Sequence, residues 1–366
     1  MTRTPSNGPS LLLPLTLMIG LGLGSPVLAQ AANASPAQSA AALDLPVQGQ
    51  LPTLDGATQW LNTAPLNAAE LRGKVVLVNF WTYSCINSIR QIPYVRAWAS
   101  KYKDQGLVVI GVHAPEFGFE QNLDNVRRAS QQLGVDYPVA VDNDHRVWQA
   151  FNNDSWPALY FVDSQGRIRH VRLGEDDYEK SERVIQQLLT EAGAKDVDRR
   201  LVTVNAQGAE AAPDWANQRT PETYVGYART EHLASPGGAR PEQRFDYAAP
   251  ERLGVNRWAL SGTWTMGEQA TVLNKAGGRL VYRFHARDLH LVMGPGLNGA
   301  PVRYRVTIDG QPPGAAHGVD VDSEGNGVVK EPRMYQLIRQ PTPISDRQFE
   351  IEFLDPGVQT FAFTFG

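Results

Sequence analysis

Two stretches of this chain are almost without polar residues over the length of a β-strand: residues 74–80 (KVVLVNF) and 107–112 (LVVIGV). A strand with no polar face has to be covered on both sides, which is the situation of a strand inside a sheet flanked by helices. The intervening residues 86–103 (INSIRQIPYVRAWASKYK) repeat apolar side chains at helical spacing, through Ile89, Ile92, Val95 and Trp98 or Tyr102. Pro93 lies inside that helix and is expected to kink it. Further along come a helix over 120–133 ending at Gly134, a short strand and helix over 138–151, two strands over 158–163 and 168–173 joined around Ser164-Gln165-Gly166, and a last helix opened by Ser181 as N-cap. The order β-α-β-α, a short β-α, then β-β-α predicts a partly parallel sheet sandwiched by helices, with antiparallel strands added late.

After a polar region over 195–220 the texture changes. Short alternating strands dominate, over 279–287, 289–293, 302–308, 335–338, 349–353 and 360–365, and no helix is evident. That is the signature of an all-β sandwich or jelly roll. The length, 366 residues, suits two domains, and 42% hydrophobic residues suffice for two cores. The formal net charge is −4, which offers no electrostatic reason to bind nucleic acid or anionic membrane.

The N-terminus reads as a secretory signal. Arg3 is the sole charge before Ala29, residues 11–24 are apolar but broken by Pro14 and glycines, and Val27-Leu28-Ala29 ends in a small-residue cleavage site. A flexible leader follows over 30–44. Residence in the periplasm or outside the cell is therefore expected, and there disulfides are common. Yet the chain has one cysteine, so no internal bridge can form and both cores must stand on packing.

That cysteine, Cys85, stands where a buried strand and a turn (Trp81 to Ser84) run into a helix. A helix N-terminus offers unpaired N–H groups and partial positive charge, which favours thiolate and lowers a thiol pKa. Cys85 is thus the expected nucleophile. Glu116, in GVHAPEF after the second strand, is a candidate proton acceptor; His113 reads as a strand-end histidine. Trp81 is a candidate shield for the thiol. Tyr83 and Ser84 read as exposed turn residues that touch a partner. No His/Cys cluster has metal-ligand spacing; Asp320, Asp322 and Glu324 form an acidic loop whose ordinary state is solvation. No cofactor motif is present.

The stretch FWTYSCINSIR, with Trp81-x-x-x-Cys85 at a strand end, Pro93 two turns on and the later Trp156-Pro157, resembles thioredoxin-like proteins of the TlpA and DipZ type. The resemblance continues through SWPALYFVDSQGRIRHVRLGEDDY, TPETYVGYA, WALSGTW and YQLIRQP, covering residues 45–366. It implies a thioredoxin-like domain over 45–194, a linker over 195–220, and a β-sandwich resembling a carbohydrate-binding module over 221–366. It also implies that Pro157 is a cis-proline facing Cys85 with Trp156 before it, and that the partners are thiols or disulfides of exported proteins, with electrons from a membrane protein of the DsbD/CcdA type. Trp258, Trp264, Tyr282, Phe284 and Tyr335 would be either core or a weakly indicated sugar-stacking platform. The family carries Cys-x-x-Cys; here Ser88 stands at the second position. A serine cannot resolve a mixed disulfide, although its hydroxyl can hydrogen-bond the sulfur one turn away. A monothiol route, a mixed-disulfide trap and a non-turnover binding module for exported proteins or glycans all remain open. A one-cysteine peroxidase is a rival: Thr82 three residues before Cys85 fits the peroxiredoxin pattern, but Val78 stands where that pattern has proline.

Overall fold

In a computed structural model, which describes residues 42–67, 69–296 and 298–366, the span Leu43–Gly366 forms one compact unit. The expected signal segment and nearly all of the expected leader lie outside the described residues. Among those described, no helix is long and apolar enough to cross a membrane.

The first part is built from β1 (Gly49–Gln50), β2 (Gln59–Leu61), β3 (Val75–Trp81), α1 (Ile86–Tyr102), β4 (Leu107–His113), α2 (Leu123–Gln132), β5 (Val139–Val141), α3 (Arg146–Ala150), β6 (Ala158–Val162), β7 (Arg167–Leu173) and α4 (Tyr178–Glu191). Its seven-stranded sheet has the order β1-β7-β6-β3-β4-β5-β2. The pairs β3–β4 and β4–β5 are parallel, the rest antiparallel. All seven residues of β3 are buried, as its apolar run demands. Helix α1 runs through Pro93 as one element.

Two helix starts depart from the reading of the sequence. Ser181 does not cap α4: the helix begins at Tyr178 after Asp177, whose φ is +58°, and the buried Ser181 hydroxyl has no partner. Glu120 does not open α2. A 3₁₀ turn, Gly118–Gln121, precedes that helix, and Asn122 caps it by accepting from the N–H groups of Asp124 and Asn125. The carboxylate of Glu120 is spent elsewhere, as described below.

The second part contains β8 (Thr223–Tyr224), β9 (Arg244–Tyr247), β10 (Arg257–Met266), β11 (Thr271–Leu273), β12 (Gly278–Phe284), β13 (Asp288–Gly294), β14 (Val302–Ile308), β15 (Asn326–Val329), β16 (Arg333–Arg339), β17 (Arg347–Phe353) and β18 (Gln359–Phe365). All pairings between these strands are antiparallel. The ten-residue β10 changes partner along its length. Its Arg257–Ser261 portion pairs with β12, and Gly262–Thr265 pairs with β9. The change of partner falls at Gly262, with φ +95°, a conformation that only glycine adopts cheaply. Trp258, Trp264, Tyr282, Phe284 and Tyr335 all lie buried in the core of the second part. They present no face to a sugar, so the platform weighed for them is not formed.

The region read as a linker is pinned between the two parts. Glu182 accepts from the Val202 N–H, Arg96 of α1 pairs with Glu210, and Arg287 and Arg339 donate to the carbonyls of Ala212 and Gly208. A second seam closes over the start of α1. Ile86, Ile89 and Phe117 from the first part pack with Val292, Met334, Phe361 and Ala362 from the second, and the Phe119 ring meets Phe361 at 4.7 Å.

Candidate functional site

Cys85 is the N-cap of α1, with φ −82° and ψ 118°, and its carbonyl accepts the first helical bond from Ile89 at 3.0 Å. Its sulfur faces the carbonyl of Trp156 at 3.9 Å. The Trp156–Pro157 peptide is cis. Trp156 is held by its indole N–H, which donates to Ala114 at 3.0 Å, and by packing on Trp148. The arrangement brings Cys85 and Ser88, at the start of α1, together with Trp156 and Pro157 from a second, distant segment. Ser88 is fully buried, and its hydroxyl accepts from the Thr82 N–H at 3.4 Å.

The thiol is not depressed as its place at a helix N-terminus suggests. Cys85 as a residue is half-buried, and loss of hydration at the sulfur pushes the thiol well above its ordinary value. The carboxylates of Glu116 and Glu222 push the same way, while the Ser88 N–H and hydroxyl pull against them. The helix terminus favours thiolate, but desolvation and two nearby negative charges outweigh it in the resting protein.

The turn before Cys85 is fixed from below by Glu120, which is fully buried. Its carboxylate accepts from the hydroxyls of Thr82 and Ser84, at 2.5 and 2.6 Å, and from the N–H groups of Ser84, Glu116 and Phe117. One side chain thereby ties the turn before Cys85 to the loop after β4. Tyr83 and Ser84 are buried rather than exposed: Tyr83 stacks on His113, and Ser84 is held by Glu120. Thr82 points its hydroxyl to Glu120 and lies 3.4 Å from His113, so it is committed beneath the turn, which weighs against the peroxidase reading. His113 is fully buried, and desolvation pushes its pKa down to about 3; it is neutral. Trp81 is also fully buried and meets His113 edge-on. It is a core residue and forms no part of a docking surface.

Glu116 is held at the edge of the site by residues of the second part. The Tyr224 hydroxyl donates to Glu116 and lies 3.1 Å from a carboxyl oxygen of Glu222. Arg229 donates to Glu116 at 2.9 Å and lies over the Tyr224 ring, 3.3 Å from its centroid. Glu222 remains exposed, so solvent screens it in part; crowding by protein and the charge of Glu116 still push it up to about 7. Reading the sequence missed Glu120, Glu222, Tyr224 and Arg229. Glu120 looks like a first-turn helix carboxylate, and the other three lie more than 100 positions from Glu116 with no spacing to link them.

Among the described residues no group of His, Cys, Asp and Glu could hold a metal ion. Asp320 is engaged by Arg333 at 2.6 Å, and Asp322 caps its own turn by accepting from Asn326.

A parallel strand pair leading into a cysteine-capped helix, with a proline-bearing strand start opposite the sulfur, defines a thioredoxin-like protein. Residues 47–189 match the Redoxin family, and residues 220–366 match the thioredoxin-like C-terminal domain family. The chain is 35% identical to Protein DipZ of Mycobacterium bovis over 351 residues, 94% of this chain and 47% of that protein. It thus spans about half the length of that relative. It is 30% identical to the thiol-disulfide oxidoreductase YkuV of Bacillus subtilis over 141 residues, 38% of this chain and 95% of YkuV. The solution structure of a thioredoxin-like protein in its oxidized form covers 39% of this chain and 96% of its own, at 30% identity and a TM-score of 0.37. This chain belongs to the thioredoxin-like redoxin family and, over nearly its whole length, is similar to part of Protein DipZ.

Proposed function

We propose that the protein is an extracytoplasmic thiol–disulfide oxidoreductase that acts on thiols or disulfides of exported proteins through Cys85 alone. The observation that carries this reading is the position of the Cys85 sulfur: at the N-cap of α1, half-buried, and 3.9 Å from the backbone carbonyl that precedes Pro157. A substrate chain laid beside Trp156-Pro157 as an added strand would bring its own sulfur to that point. In the forward step Cys85 gives up its proton and the thiolate attacks one substrate sulfur. The substrate S–S bond breaks, and the departing thiolate takes up a proton. Ser88 cannot expel the bound substrate, so a second, external thiol attacks the mixed disulfide and restores Cys85. A membrane protein of the DsbD/CcdA type is the proposed electron source.

The raised thiol favours a second reading, in which the site captures a partner and does not turn over. A thiol held protonated at rest reacts slowly with small disulfides. Reduction of insulin by excess small thiol separates the two. For the oxidoreductase the intact protein accelerates reduction and the Cys85→Ser variant falls to background, while Ser88→Cys raises the rate at least severalfold by supplying internal resolution. Equal background rates for the intact protein and Cys85→Ser remove the enzymatic reading and leave the capture module.

A further inference from the structure

Asp154 stands two residues before Trp156, whose carbonyl lies 3.9 Å from the Cys85 sulfur. Two Cα–Cα steps of ~3.8 Å keep the Asp154 and Trp156 Cα atoms within ~7.6 Å of each other. Asp154 lines a cleft of about 450 Å³ between the end of α3 and the face formed by β6, β7 and β1. Among the described residues of that lining, Asp154 alone carries a charge. Its carboxylate accepts from the Ser155 hydroxyl at 2.9 Å and, among the described residues, forms no ion pair. One wall of the cleft is apolar. Phe151 and Tyr160 meet edge to face at 5.0 Å, and Tyr160 is the cross-strand partner of Val171. Leu173, 45% exposed, pairs with Ala158, directly after Pro157, and the Gly174 N–H donates to the Pro157 carbonyl at 2.7 Å. The cleft is thus built around the same short segment that faces the thiol.

An exposed leucine and an unpaired carboxylate lining one cleft match the two ends of a lysine or arginine side chain, an apolar stem and a cationic head. We propose that this cleft is a substrate subsite that takes the Lys or Arg side chain two positions from the substrate cysteine, with Asp154 as its specificity-determining residue. The inference rests on the reading of Cys85 as the reacting thiol and names the substrates that reading leaves open. A substrate strand laid beside Trp156-Pro157 turns every second side chain to one face, ~6.6–7 Å apart. The side chain two positions from the substrate cysteine therefore reaches about as far as the step from Trp156 to Asp154. Its stem packs on Val171 and Leu173, and its head pairs with the carboxylate. The partner selected is a basic segment around a cysteine, complementary to a chain of formal net charge −4.

Two sets of peptides test the subsite and the chemistry separately on the full chain. In the first set serine replaces the substrate cysteine, so fluorescence anisotropy reads binding alone, and the residues two positions to either side are Lys, norleucine or Glu. The lysine peptide should bind ~3- to 5-fold more tightly than the norleucine peptide, the range of a solvent-screened ion pair, and the glutamate peptide should bind least. That preference should shrink as salt rises from about 50 to about 500 mM. Asp154→Asn should bring the lysine peptide down to the norleucine level, whereas Leu173→Ser should weaken both peptides alike. Equal or undetectable binding of the three peptides by the intact protein, or a lysine preference that survives Asp154→Asn, overturns the proposal. In the second set the same sequences carry the cysteine as its thiopyridyl disulfide. The Cys85 thiolate attacks the peptide sulfur, the bond to the pyridyl sulfur breaks, and thiopyridone leaves as the Cys85–peptide disulfide forms. Faster release from the lysine peptide supports the subsite and the reacting thiol together. No release from any peptide, with the lysine preference of the first set intact, supports the cleft as a binding site and removes the reading of Cys85 as the reacting thiol.

Discussion

Glu120 shows how much a single buried side chain can settle at this site. Its carboxylate receives five hydrogen bonds from Thr82, Ser84, Glu116 and Phe117, which offset the desolvation that pushes its own pKa up. Truncation strands these donors in a dry interior. Glu120→Ala is expected to cost roughly 3–5 kcal/mol in urea unfolding, and Glu120→Gln, which keeps one acceptor oxygen, about 1–2. A loss under about 1 kcal/mol for the alanine variant would mean that water replaces the carboxylate. The place of Cys85 at the start of α1 was legible because it is the one cysteine and stands at a strand-to-helix junction. The direction of its pKa was not legible: the helix terminus is a local feature, whereas hydration of the sulfur and the nearness of Glu116 and Glu222 arise only when distant segments meet.

Among the elements, β3, β4 and β6 follow closely from their apolar runs, which match the strands to within one residue at either end. Strand β10 was harder to see. Ser261-Gly262 interrupts its apolar alternation, and its two portions serve different neighbours. The bend depends on Gly262, where φ is +95° and an added Cβ would lie 2.9 Å from the Gly278 Cα. Gly262→Ala should therefore destabilise the protein by about 2–4 kcal/mol, combining positive-φ strain with a backbone clash. A thermal midpoint within a degree or two of the parent would show that the bend can be made another way. Strands β1, β2, β8 and β11 have two or three residues each. Segments so short carry no period to read, and their pairing is decided by the edges they find.

For the whole molecule, the two parts are joined by polar contacts of Tyr224 and Arg229 to Glu116 as well as by the apolar seam. Arg90 of α1 pairs with Glu175 at 3.2 Å in the interior, and its charge also bears on His290 of β13. Desolvation first, and Arg90 second, push that fully buried histidine down to about 3, from an ordinary 6.5. The sign follows from linkage. A neutral histidine in the folded state and a protonated one in the unfolded chain give stability that is complete above pH 6.5 and is lost as pH falls toward 3. Replacing His290 by Gln should remove this dependence, so the parent loses up to ~1.4 kcal/mol per pH unit relative to the variant between pH 6 and 4 in denaturant titrations. Parallel curves would show that His290 keeps its ordinary pKa. What the linear order of residues determined by itself was the class of fold in each part and the place of the single thiol at a helix start, because strand runs, helical spacing and a cysteine at a helix start are properties of neighbours in the chain. Only the tertiary structure decided the charge around that thiol, the burial of Trp81, Tyr83 and Ser84, and the clasp of Tyr224 and Arg229 on Glu116. Electrostatics and hydration depend on distance through space, and residues more than 100 positions apart become neighbours only once both cores have packed.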